Sequence, residues 1–152
     1  MNNNDILRRL RYTFEFSDSD MMELFAEGGK LATRAQISDW LKKDTDEAFQ
    51  LISDEDLAFF LTGWIAKNRG KKDGEIPVSE KKLDNNIIFR KIKIALSLKN
   101  EDIQEILKLV DFRISEHEIS AFFRSADHRK YRICQDQILR NFIHGLQLKY
   151  HP

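Results

Sequence analysis

Residues Asn85–Asp102 read NNIIFRKIKIALSLKNED, and they repeat, with drift, residues Asn3–Asp20, NNDILRRLRYTFEFSDSD. An offset of 82 positions carries Asn3 onto Asn85, Asn4 onto Asn86, Ile6 onto Ile88, Arg8 onto Arg90 and Asp20 onto Asp102. The same offset runs without a gap to Lys67 and Lys149, through the identical pairs Glu23/Glu105, Ile37/Ile119, Ser38/Ser120, Asp54/Asp136, Leu57/Leu139, Phe60/Phe142 and Gly63/Gly145. Self-similarity over such a length marks a tandem duplication in which each copy is one supersecondary unit of the same shape. The expected organisation is a first unit at 1–69, a linker at 70–84 and a second unit at 85–152.

Each copy reads as four or five helices. In the first helix, Ile6, Leu7, Leu10 and Phe14 share one face, as do Ile88, Phe89, Ile92 and Leu96. The Asn pair is expected to cap it, since an Asn side chain accepts from the free N–H groups of a first turn. A second helix follows, capped by Ser17 or Asp18 and by Asn100, with Met21, Leu24, Phe25 and Ile103, Ile106, Leu107 inward. Gly28-Gly29 ends it in the first copy; Val110-Asp111 in the second predicts a softer end. Capping boxes, Thr33 with Gln36 and Ser115 with Glu118, open the third helix. A connector, 43–52 and 125–134, carries Phe49 or Tyr131 as an inward-facing ring. The last helix shows Leu57, Phe60, Leu61, Trp64 and Leu139, Phe142, Ile143, Leu146 at i, i+3, i+4, i+7 spacing. The fold class is therefore all-α, with two homologous repeats expected to pack about a pseudo-twofold axis.

Composition narrows the function classes. The 152 residues are 41% hydrophobic and 33% charged, with 2 Pro and 6 Gly, which suits helices and not a turn-rich β fold. The single Cys134 excludes an internal disulfide framework or a Cys-based zinc site. No apolar run approaches the roughly 20 residues needed to span a bilayer. The opening MNNNDILRRLRY lacks the apolar stretch of a signal peptide, so a cytoplasmic location is expected. Net charge is zero but unevenly spread: 9 Lys/Arg against 13 Asp/Glu in residues 1–69, and 12 against 8 in 85–152.

Gly63 and Gly145 lie inside the last helix of each copy, where Gly costs about 1 kcal/mol against Ala. Their repetition points to a close helix approach, expected near the contact between the units. Arg8, Arg9 and Arg11 are matched by Arg90, Lys91 and Lys93, on a face with no structural duty visible in the sequence. Phosphate contact is the functional reading of that face, and a solvated helix surface the structural one. The run His128-Arg129-Lys130-Tyr131-Arg132 combines basic and aromatic residues, as single-strand binders do, but Tyr131 aligns with Phe49 and so reads as a core ring. The second and third helices of the second copy outline a helix-turn-helix whose turn, Leu109–Ile114, is longer than usual. Cys134 reads as a packed thiol, with His128 and His144 near it in sequence only. His117-Glu118 fails the zincin spacing because Phe122 stands where a second His is needed. Asp18 and Asp20 lack the rest of a calcium loop.

The paired openings NNDILRR and NNIIFRKIKIALSLK, the KNEDI and ISAFFR segments and the Asp127–Leu146 run resemble the bacterial YehS-like family, a domain of unknown function in two tandem copies. The resemblance covers 3–149 and implies an all-helical bacterial protein; it brings no activity, cofactor or catalytic residue. Two functions are expected from the whole reading. One is a non-enzymatic binding or adaptor protein that uses a cleft or face between the two units, with no catalytic residue, metal or cofactor to nominate and a protein as one possible kind of partner. The other is nucleic-acid binding through Arg8, Arg9, Arg11, Arg90, Lys91, Lys93, Arg129, Lys130 and Arg132.

Overall fold

Eight α-helices and no strand form among the described residues, 1–70 and 79–152, of the computed structural model. The helices are α1 (Asn3–Thr13), α2 (Asp18–Glu27), α3 (Arg34–Leu41), α4 (Asp54–Arg69), α5 (Asn85–Ala95), α6 (Asn100–Lys108), α7 (Glu116–Phe122) and α8 (Asp136–Tyr150). They fall into two compact units, Met1–Leu83 and Asp84–Pro152, of four helices each. Most of the expected 70–84 linker lies outside the described residues. At its end, the Leu83 N–H donates to Asp54 Oδ2 at 3.0 Å.

Local chemistry sets the helix starts. Ser17 caps α2, and the capping boxes of α3 and α7 form between Thr33 and Gln36 and between Ser115 and Glu118. The first-helix caps correct the expectation. Asn2, not the Asn3-Asn4 pair, accepts from the Asp5 N–H at 2.8 Å, and Asp84 takes that place in the second unit, accepting from the Ile87 N–H at 2.8 Å. Asn100 is likewise inside α6 and caps nothing: it accepts from Lys93 Nζ at 3.1 Å and donates to Ser120 Oγ at 2.8 Å.

The helix ends repeat as faithfully. Glu15 and Ser97, 82 positions apart, both sit at φ 53°, while Gly29 at 104° and its counterpart Asp111 at 57° share the left-handed region. The Val110-Asp111 end is therefore as sharp as the Gly28-Gly29 end. A Cβ in this region is strained, and glycine relieves it. Ser97→Gly is expected to stabilise the protein by about 0.5–1 kcal/mol, read as a raised urea midpoint with an unchanged slope.

Packing follows the apolar stripes. In the first unit Leu7, Leu10, Leu24, Phe25, Phe60 and Leu61 are fully buried, and the Phe25 ring lies 5.3 Å from Trp40 and 5.5 Å from Phe60. In the second unit Phe89 takes the centre, 4.5 Å from Phe142 and 6.0 Å from Phe122. Phe14, Phe49 and Tyr131 are only half-buried.

The helix glycines do bring backbones together, but within each unit. A Cβ on Gly63 would stand 1.7 Å from the Leu24 carbonyl oxygen, and one on Gly28 1.8 Å from that of Phe59. So α2 and α4 cross backbone to backbone, glycine against glycine. Val110 replaces Gly28 in the second unit, and the crossing there is looser: a Cβ on Gly145 would meet the Ile106 carbonyl oxygen at 2.5 Å.

Candidate functional site

The Asn pair does its work on the connectors. Asn4 is 1% exposed, and its amide donates to the carbonyls of Trp40 at 2.9 Å and Gln50 at 2.8 Å while its oxygen accepts from the Ile52 N–H at 3.1 Å. Asn86, 3% exposed, repeats all three bonds with Phe122 at 3.0 Å, Arg132 at 2.8 Å and Cys134 at 2.9 Å. An amide is the one neutral side chain that can both donate twice and accept here. Asn3 adds bonds to the Ile52 carbonyl at 3.3 Å and Asp54 Oδ1 at 2.7 Å; Asn85 does the same to Cys134 at 3.0 Å and Asp136 at 2.7 Å. The Leu83 N–H, and after it the Asn3 amide, hold the Asp54 carboxyl below the usual carboxylate range.

This clasp determines how each connector meets solvent. The Gln50 N–H donates to the Asp39 carbonyl at 3.2 Å, and the Arg132 N–H to that of Ala121 at 3.1 Å. The residues on either side of 51 and 133 are thus tied inward. Leu51 and Ile133 between them make no hydrogen bond to the described residues, and each is 73% exposed. A single exposed aliphatic residue is ordinary. Two at equivalent positions, each held outward by the same buried clasp, form a feature of the repeat. The turns before them also match: Ala48 N–H to Asp46 Oδ1 at 2.9 Å, and Lys130 N–H to His128 Nδ1 at 3.0 Å.

The basic first-helix face has structural duties after all. Arg8 reaches the Lys42 carbonyl at 3.1 Å, beyond the end of α3, and Arg90 reaches that of Phe123 at 3.2 Å, beyond the end of α7. These guanidinium groups satisfy carbonyls that a helix end leaves open. Arg11 pairs with Asp18 at 3.2 Å. Lys93 bonds Asn100 and stands 4.2 Å over the Phe123 ring, where burial and then Arg90 lower its pKa. Lys91 is 7% exposed, and Arg9 is exposed.

Arg129, Lys130 and Arg132 come together. With His117, Glu118 and Arg124 they line an open cleft of about 300 Å³ between α7 and the connector. Arg132 also pairs with Glu118 at 3.6 Å. Arg124 was not among the candidates singled out in the sequence; its alignment with Lys42, basic in both copies, was the available signal. The first-unit loop at the same place is acidic, with Asp44, Asp46 and Glu47 exposed.

Cys134 is buried, and burial pushes its thiol up to about 12. A thiol so held is a poor nucleophile. Disulfide-exchange reagents are expected to label it only at the rate of unfolding, and quickly in denaturant. Among the described residues, no group of three or more His, Cys, Asp or Glu is placed to hold a metal ion, and no helix is long and apolar enough to cross a membrane.

The family described as Protein of unknown function (DUF1456) matches this chain twice, at residues 3–70 and 85–151. The chain belongs to this family. The two DUF1456 matches cover the repeated helices of the two units in turn, so the repeats are homologous copies of one domain. The Uncharacterized protein YehS of Escherichia coli (strain K12) is 41% identical over 152 residues, covering 99% of this chain and 97% of its own length. No solved structure matches.

Proposed function

We propose that this DUF1456 protein is a non-enzymatic binding protein whose contact surfaces are the two connector loops. The observation that carries this reading is the paired exposure of Leu51 and Ile133, each held out by a fully hydrogen-bonded buried Asn. The buried centre of an interface is its apolar part, and side chains placed by a fixed backbone lose less freedom on association. The test is a photo-crosslinking amino acid placed at position 51 or 133 in cells, with exposed Arg140 on α8 as the control position. Discrete adducts from 51 and 133, absent from 140, are the expected result. No adduct, or equal adducts from all three, would end the proposal.

A second reading is favoured by one observation, the cleft that gathers Arg124, Arg129, Lys130 and Arg132. Four cations on one edge suit a phosphate backbone, so nucleic acid is the alternative partner. Labelled duplex DNA and RNA titrated at rising salt decide it: affinity falling steeply with salt supports contact, and absence of binding at low salt removes it.

A further inference from the structure

The two connectors share a backbone and oppose each other in charge. Residues 42–50 hold two Lys against three Asp/Glu, whereas 124–132 hold four Lys/Arg against one Asp. Lys42 is paired with Asp39, so the first loop's tip carries Lys43 with Asp44, Asp46 and Glu47 and is acidic on balance. The side chains of Asp44, Glu47, Arg129 and Lys130 have no partner among the described residues. Glu47 and Arg129 occupy the same place on the two turns, and Leu51 and Ile133 the same place beyond them.

We infer that the acidic connector of one copy of this chain docks on the basic connector of a second copy. The inference rests on the reading of the connectors as contact surfaces and names their partner. Each loop supplies an aliphatic centre with a rim whose net charge is opposite to its counterpart's. Two acidic loops, or two basic ones, repel, so the charges select unlike pairing and reject like pairing. Such pairing is head-to-tail and leaves one loop free on each copy, so it extends into a chain of copies or closes into a ring. A contact of two short loops is small, which places it among weak, transient associations with a strong salt dependence.

Sedimentation velocity of the whole chain tests this from about 10 µM to about 1 mM, at about 50 mM and about 500 mM salt. The sedimentation coefficient is expected to rise with concentration at low salt and to stay flat at high salt. The variant Asp44→Lys/Glu47→Lys has two basic loops, and Arg129→Glu/Lys130→Glu has two acidic ones. Each is expected to lose at least about tenfold in self-association, while an equimolar mixture associates again. Circular dichroism checks that both remain helical, and a Leu51→Ser/Ile133→Ser variant, with no charge altered, is expected to weaken association as well. Monomer at every concentration in low salt, undiminished association of either reversed variant, or a mixture that stays monomeric would each overturn the inference. Adducts from position 51 or 133 to a different macromolecule would overturn it too, while leaving the binding proposal intact.

Discussion

Asn4→Ala is expected to destabilise the first unit by about 3–5 kcal/mol, and Asn86→Ala the second by a similar amount, among the largest single-residue effects in the chain. The physical cause is desolvation and not lost volume. Each substitution strands two carbonyls and one N–H that are buried or half-buried, Trp40, Gln50 and Ile52 in one case and Phe122, Arg132 and Cys134 in the other. An unsatisfied buried polar group costs roughly 1–3 kcal/mol, and water entering beside the loosened connector recovers part of the sum. Asn4→Asp separates this account from a packing effect. It is nearly isosteric, yet it points carboxylate oxygens at two carbonyls, so it is expected to be at least as harmful as alanine at neutral pH. Urea denaturation of the variants followed by circular dichroism measures the differences. A loss below about 1 kcal/mol for Asn4→Ala would mean that the clasp is dispensable.

The second large effect is a ranked pair. Gly63→Ala is expected to cost about 3 kcal/mol or more, and Gly145→Ala about 1–3 kcal/mol, although alanine is the better helix former by about 1 kcal/mol at either site. The added methyl at 63 would meet backbone on two sides, Leu24 carbonyl oxygen at 1.7 Å and the Gly28 nitrogen at 2.9 Å. Backbone cannot rotate away, so α2 and α4 must separate, and the Phe25–Phe60 contact would open with them. At 145 the nearest atoms are the Ile106 oxygen at 2.5 Å and its Cγ2 at 2.7 Å, and the second of these can change rotamer. Equal costs at the two sites would contradict the difference in helix approach. The comparison uses the same urea experiment.

Much of the architecture is legible in the chain because it depends on local patterns. The 3.6-residue stripes and the capping boxes at Thr33 and Ser115 depend on neighbours a few positions apart, and the helix glycines announce themselves by recurring at the 82-residue offset. The misread first-helix side chains share one cause. Asn3 and Asn4 sit where a cap belongs, and a local reading assigns them that role; their partners lie 36 to 51 positions away and are mostly backbone carbonyls and an N–H, which no side-chain pattern displays. Arg8 and Arg90 looked idle for the same reason, since the atoms they satisfy are carbonyls just beyond α3 and α7. One trace was present: Asp54 and Asp136 are identical in both copies, as are the Asn3 and Asn85 that bond them. The outward placement of Leu51 and Ile133 left no trace, because exposure there follows from a clasp on the residues at either side.

The repeat has kept its identities mainly for construction: the Asn clasp, the Gly crossing, the Arg8 and Arg90 contacts, and the core at Ile6, Leu57 and Phe60 with their counterparts. What has diverged is the surface of the connectors, acidic in one copy and basic in the other. Preserved scaffold with altered loop charge is consistent with the proposed contact role, so the connectors, more than the first-helix basics, are the place for the first variants.

The conformation of the connectors is the point on which the account turns, and amide hydrogen exchange resolved by residue examines it directly. The N–H groups of Gln50, Ile52, Arg132 and Cys134 are bonded, while those of Leu51 and Ile133 make no hydrogen bond to the described residues. The account predicts slow exchange at 50 and 52 with fast exchange at 51, and the same alternation at 132, 133 and 134. Fast exchange at all six positions would contradict it.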